Sequence, residues 1–137
     1  MHKLIALREA GAGATEIATL LAEDVVFNSP VLSRSIVGRD AVAEAMVAAI
    51  AVREGAYVAE MSDGPTTLLV WRGTVDGLPL DSFEMLLHDA DGLVIERSVA
   101  MRPFASAVRF RNAFQRRMGG RLGPEYFALD EALLTSS

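Results

Sequence analysis

The stretch from Thr66 to Pro103, TTLLVWRGTVDGLPLDSFEMLLHDADGLVIERSVAMRP, constrains the fold more than any other part of the chain. It divides into three long runs of alternating character, parted by Asp76-Gly77 and by Asp89-Ala90-Asp91-Gly92. Asp-Gly between alternating runs specifies a tight hairpin turn, because glycine accepts the positive φ such a turn requires. The runs exceed the usual five or six residues of a strand, and a sheet of long strands twists into a curved surface with a concave face. That concave face is where a site is expected.

The segments before and after this meander supply helices and short strands. Residues 1–10 form a short helix that Gly11 and Gly13 interrupt, since each glycine costs a helix about 1 kcal/mol relative to alanine. A second helix opens at Thr15, with Ile17, Leu20 and Leu21 on one face. VVFNSP is a short strand stopped by Pro30, and RSIVG is another that Gly38 ends. Asp40 is the expected N-cap of a helix through AVAEAMVAAIAVRE, with Val42, Met46, Ala49 and Ile50 as its buried stripe. AYVAEMSDG is a further strand. After Pro103 a helix is expected to turn Phe104 and Val108 inward, with Phe114 or Met118, before Gly119-Gly120 stops it. In the tail, a final helical turn is expected, with Tyr126, Phe127 and Leu129 covering apolar surface. The order is α+β: a cone-shaped, strongly curved mixed or antiparallel sheet, with helices folded over its concave face and an open mouth.

At 137 residues the chain is one domain, and it has no cysteine for disulfide or thiol chemistry. Its net charge of −5 argues against nucleic acid as a partner. The arginines 109, 111, 116, 117 and 121 read as a solvated helix face. No apolar run reaches a membrane span and the first residues lack a signal-peptide core, so no membrane association and a cytoplasmic location are expected. No metal-ligand spacing, phosphate loop or dinucleotide fingerprint is present, so neither metal nor organic cofactor is expected. With 51% of residues hydrophobic, the apolar excess has two outlets: a ligand cavity or a subunit interface.

LLAEDVVFNSP, VGRDAVAEAM and EMLLHDADGLVIERSVAMRP, in that order, resemble the nuclear transport factor 2-like superfamily, in particular its SnoaL-like branch. That superfamily includes ketosteroid isomerases, limonene-epoxide hydrolases and polyketide cyclases. The resemblance implies a single SnoaL-like domain over residues 1–137, with a core of about 15–118 and a tail of 119–137, assembled as a homodimer. Residue by residue, it places Ser29 where the isomerases keep their base, no tyrosine near Ile5 where they keep one, and Glu84 where they keep a protonated acid. Asn28 matches the water-holding Asn of the epoxide hydrolases. Their Asp-Arg-Asp relay falls on Trp71, Gly73 and Val99 and is absent, which disfavours that activity.

Strand phase then selects the candidate site. Glu84 shares a side with Ser82, Leu86 and His88, and burial there should raise its pKa and make it an acid or hydrogen-bond donor. Arg97 lies in phase with Val99 and Met101, where it can partner Glu84 or a ligand anion. Trp71 beside Gly73 suggests a wall with room for something flat, although plain core filling reads equally well. Phe27, Asn28, Met46 and Tyr57 complete the expected lining. The ligand expected is a small apolar molecule. An isomerase or cyclase acting on a polyketide-, terpenoid- or steroid-like carbonyl compound, with Glu84 catalytic, stands beside two alternatives: binding without chemistry, and a dimeric interaction module.

Overall fold

The computed structural model describes residues 1–129. In chain order the elements are α1 (Lys3–Glu9), α2 (Ala14–Ala18), β1 (Leu21–Asn28), β2 (Ile36–Val37), α3 (Arg39–Ala51), β3 (Glu54–Asp63), β4 (Thr66–Val75), β5 (Leu78–His88), β6 (Val94–Arg102) and α4 (Phe104–Met118). Two short 3-10 turns, Gly119–Arg121 and Pro124–Tyr126, follow. The six strands form one mixed sheet in the order β2-β1-β6-β5-β4-β3, in which only β1 and β6 run parallel. The result is the conical α+β fold expected of the meander.

Local chemistry fixes the register. Asp76 and Gly77 both have positive φ, at 49° and 78°, which closes β4 on β5 with a two-residue turn. Trp71 is thereby set opposite Ser82, and Leu69 opposite Glu84. At the next turn the Asp89 carboxylate accepts from the backbone N–H groups of Asp91 and Leu93. Glu84 then lies opposite Val99 and Leu86 opposite Arg97. Register shifts in β1, β3 and β5 add local bends to the sheet. Alternation along β5 is strict around the centre: Leu80, Ser82, Glu84 and Leu86 are buried, while Phe83 and Met85 are exposed.

The helices cover the inner face. α3 buries four alanines, Ala43, Ala45, Ala48 and Ala49, with Val42 and Met46, and so lies close against its neighbours. Its N-cap is Gly38, with no side-chain cap bond; Asp40 sits instead in the first helical turn, where a negative charge favours the helix dipole. α2 ends at Ala18 rather than running on to Leu21. Leu21 opens β1, paired with Val94 of β6, so the sheet claims residues whose local spacing suited a helix. α4 packs on β4, β5 and β6, but through Phe110, Ala113, Phe114 and Met118. Phe104 and Val108, expected inside, point out, with Phe104 83% exposed. In the tail Phe127 is buried and Tyr126 half-buried, whereas Leu129 is 70% exposed. The rest of the expected helical turn lies outside the described residues. Among those residues no helix is long and apolar enough to cross a membrane.

Candidate functional site

Among the described residues the inner face carries a buried polar cluster centred on Glu84. Glu84, from the middle of β5, is 2% exposed. Its Oε1 lies 3.0 Å from Arg97 Nη2 and 3.7 Å from Arg53 Nη2. The Tyr57 hydroxyl, from β3, donates to the same carboxylate at 3.3 Å. Arg53 also donates to the Ser82 hydroxyl at 3.2 Å. Aromatic rings back the guanidinium groups: Arg53 lies 4.5 Å from the Trp71 ring centroid, Arg97 4.7 Å from Phe27, and Arg8 of α1 5.1 Å from Trp71. Such stacking holds a guanidinium where water cannot solvate it.

These contacts reverse the expected ionisation of Glu84. Burial alone raises a carboxyl pKa, but the charges of Arg97, Arg53 and Arg8, together with the Arg97 hydrogen bond, outweigh it. The group is held below the ordinary carboxylate value, so at neutral pH it is a carboxylate and not the proton donor the sequence suggests. Tyr57 moves upward, through burial and then the Glu84 charge, and keeps its proton. Burial and the neighbouring charges of Arg8 and Arg97 lower Arg53 to about 10, against the pull of Glu84, and leave it cationic.

The structure brings together Phe27, Tyr57, Trp71, Glu84, Arg97, Val99 and Met101 on one face. Met46 is buried in the apolar core beneath them. Asn28 is not there. It follows Phe27 on β1 and points to the opposite face, where its amide donates to Glu96 and Ser98 and its carbonyl accepts from Ser35. Successive strand residues face opposite ways, so Phe27 and Asn28 cannot both line the interior. Nor does Trp71 leave a slot for a flat molecule. A Cβ on Gly73 would meet the Trp71 ring at 2.5 Å, and one on Gly55 would meet it at 2.7 Å. The ring itself occupies the space above both glycines.

Between the sheet and α4 the expected open space is nearly filled, while a depression of about 330 Å³ borders Arg8, Arg53 and Tyr57. What remains inside is a cavity of about 10 Å³, lined by Arg53, Arg97, Ser29, Val99, Met101 and aromatic residues of α4. That is room for one water-sized group. α4 fills the rest, through Phe110 and Phe114. Sequence reasoning missed Arg53, although a signal was present: it continues the stripe of buried Met46 and Ala49 and half-buried Ile50 at helical spacing. Arg8, from an exposed-looking first helix, gave no comparable signal. Among the described residues no group of three or more His, Cys, Asp or Glu side chains is placed to hold a metal ion.

A bent sheet folded round a charged, aromatic-lined interior defines a class of small α+β cone proteins. Compared with solved structures, the chain is similar to an uncharacterized bacterial protein with a cystatin-like fold from Silicibacter pomeroyi. The two are 30% identical over 86% of each chain, with a TM-score of 0.78. It is also similar in fold to a steroid delta-isomerase from Pseudomonas aeruginosa, 24% identical over 85% of this chain and 86% of that one, with a TM-score of 0.80. A SnoaL-like protein of unknown function from Burkholderia thailandensis, 15% identical over 72% and 88% of the two chains, gives a TM-score of 0.58. No protein-family model matches the chain, and no curated protein does. The chain belongs with the bacterial proteins of cystatin-like fold that the Silicibacter pomeroyi protein represents, and it shares its fold with NTF2-like and SnoaL-like proteins.

Proposed function

We propose that this is a small-molecule protein of the isomerase or cyclase type, acting on a carbonyl compound of polyketide-, terpenoid- or steroid-like character inside the cone. The observation that carries the reading is the buried Arg97–Glu84–Arg53 arrangement with the Tyr57 hydroxyl on the same carboxylate. In this reading the two arginines stabilise the oxygen that gains charge as a carbonyl compound enolises, Tyr57 helps to hold Glu84, and water admitted with the substrate takes the α-proton and returns one at the γ-carbon. Donors fixed in a dry interior act far more strongly there than in water. Glu84 holds the arginines in place as a carboxylate, and its role is orientation rather than protonation. Ser29 stands where the isomerases have their base, so the activity rests on oxyanion stabilisation and on the enforced shape of the substrate. Entry requires α4 to yield, because the cavity at rest holds only a water-sized group.

The test is turnover of a 5-ene-3-ketosteroid and of simpler β,γ-unsaturated ketones, followed by the ultraviolet absorbance of the conjugated product. The reading predicts conversion above the buffer rate that falls at least tenfold in Arg97→Lys, which keeps the charge and loses the planar fork. No conversion, together with no thermal shift on adding any of these ketones, overturns it.

One further observation favours a second role beside the first. Met61, Leu68, Phe83 and Met85 are exposed on the outer face of the sheet and line a shallow depression of about 550 Å³. An apolar strip of that kind on an open sheet suits a second copy of the chain. Light scattering at micromolar concentration is expected to give a dimer that Phe83→Lys converts to a monomer; a monomeric wild-type chain refutes this.

A further inference from the structure

The interior holds more positive than negative charge. Arg8, Arg53 and Arg97 all bear on Glu84. Among the described residues Glu84 is the one carboxylate within 4 Å of Arg53 or Arg97. Arg53 and Arg97 are 6% and 4% exposed. Their Nε atoms, with Arg8 Nη1, are buried and lack a hydrogen-bond partner among the described residues. Buried cations with unmade hydrogen bonds are expensive, and an anion placed against them removes both faults at once. The cavity of about 10 Å³ is lined by both of these arginines and by Ser29. Its size fits a single oxygen atom rather than a whole ligand.

Met101 borders that cavity and also borders a groove of about 360 Å³ outside it. The groove runs between α4 and the loop after β1, with Pro30, Val31 and Leu32 on one side and Phe104 and Val108 on the other. Phe104 and Val108 are the apolar residues of α4 that turn away from the core, and in the groove they have a use. A thioether side chain is a suitable divider between the two spaces, since methionine changes rotamer readily.

We propose that the cone takes an amphipathic monocarboxylate, with a carboxylate oxygen in the Ser29 cavity between Arg53 and Arg97 and its apolar body past Met101 in the outer groove. This rests on the small-molecule reading and adds a ligand class to it: acids with an aliphatic or fused-ring body, whose carboxylate occupies the arginine cavity in place of the carbonyl oxygen. The carboxylate accepts hydrogen bonds from guanidinium nitrogens that have none at rest. Salt-dependent affinity follows at the groove mouth, and little affinity follows for short acids such as acetate, which have no body to bury.

The full-length chain is titrated by calorimetry at low salt with decanoate, decanamide, 2-decanone and acetate. Decanoate is expected to bind at least tenfold more tightly than the amide or the ketone, in line with charge-assisted against neutral hydrogen bonds. Acetate is expected to bind too weakly to measure. Met101→Trp, which fills the passage and changes no charged residue, is expected to weaken decanoate at least tenfold while circular dichroism stays unchanged. Arg97→Lys is expected to do the same. Equal affinity for decanoate, amide and ketone overturns the carboxylate inference and leaves the small-molecule reading standing. Decanoate binding that neither Met101→Trp nor Arg97→Lys weakens is surface adsorption and also overturns it. No binding by any of the ten-carbon compounds overturns the carboxylate inference, while the ketone turnover assay decides the small-molecule reading separately.

Discussion

Glu84→Gln separates an ionised Glu84 from a protonated one. A neutral carboxylic acid and an amide have nearly the same size and shape, so if Glu84 were a protonated acid the exchange would cost little. The structure instead sets the group against two buried arginines at 3.0 and 3.7 Å. Removing one partner of a buried ion pair leaves the remaining charge uncompensated and costs about 3–5 kcal/mol. For 137 residues, an unfolding entropy of about 2.1 cal/mol/K per residue gives about 0.29 kcal/mol/K. The melting temperature therefore falls by about 10–17 °C at pH 7. The pH dependence supplies a second check. The folded pKa of Glu84 lies below its ordinary value of 4.5. Its contribution is therefore fully present above that value and is lost as pH falls through the lower folded pKa. Urea unfolding of both proteins between pH 3 and pH 7 should show a gap that is widest at neutral pH and narrows only below pH 4.5. A gap under about 1 kcal/mol at pH 7, or one that widens in acid, would refute an ionised Glu84.

Three further perturbations follow from the same contacts. Gly73→Ala should destabilise the fold by about 1–3 kcal/mol in thermal or urea unfolding, because the new methyl group runs into the Glu54 carbonyl and the Trp71 ring. Phe110→Ala, at a ring 2% exposed, should cost about 3–5 kcal/mol while enlarging the cavity beside Arg53, so that decanoate raises the melting temperature of the variant more than that of the wild type. His2 and His88 meet through their Nε2 atoms at 2.9 Å, while His2 Nδ1 accepts from the Leu4 N–H. Burial and then the charge of His88 lower the pKa of His2, against Glu60 and Glu84. The stability this contact gives is therefore complete above pH 6.5 and is lost as pH falls below that value. Amide protection factors in Lys3–Glu9, taken against the intrinsic rate at each pH, should fall between pH 7 and pH 5, and His2→Gln should remove that fall.

The meander was legible because its chemistry is local. A two-residue Asp-Gly turn sets the register of β4 against β5 without help from elsewhere, and register sets phase. From phase alone Trp71, Glu84, Arg97, Val99 and Met101 fall on one face, as the structure places them. The failures come from decisions made over distance. Leu20 and Leu21 suited a helix until the parallel pairing with β6 drew Leu21 into β1. α4 carries two apolar stripes, Phe104 with Val108 and Phe110 with Phe114, and only the sheet decides which turns inward. Asn28 is a different case, since strand alternation already forbids it the face that Phe27 takes. The ionisation of Glu84 was out of reach from sequence. It depends on arginines 31 residues before it and 13 after it, on a helix end and a neighbouring strand, meeting at one carboxylate.

The most direct measurement is the ionisation state of that carboxylate, followed by the carbon-13 NMR shift of the Glu84 side-chain carboxyl from pH 3 to pH 8. A signal at the carboxylate position throughout pH 5–8, with its midpoint below the ordinary 4.5, is the predicted result. A signal that remains at the protonated position above pH 5 would contradict the arginine clamp and return Glu84 to the role of an acid.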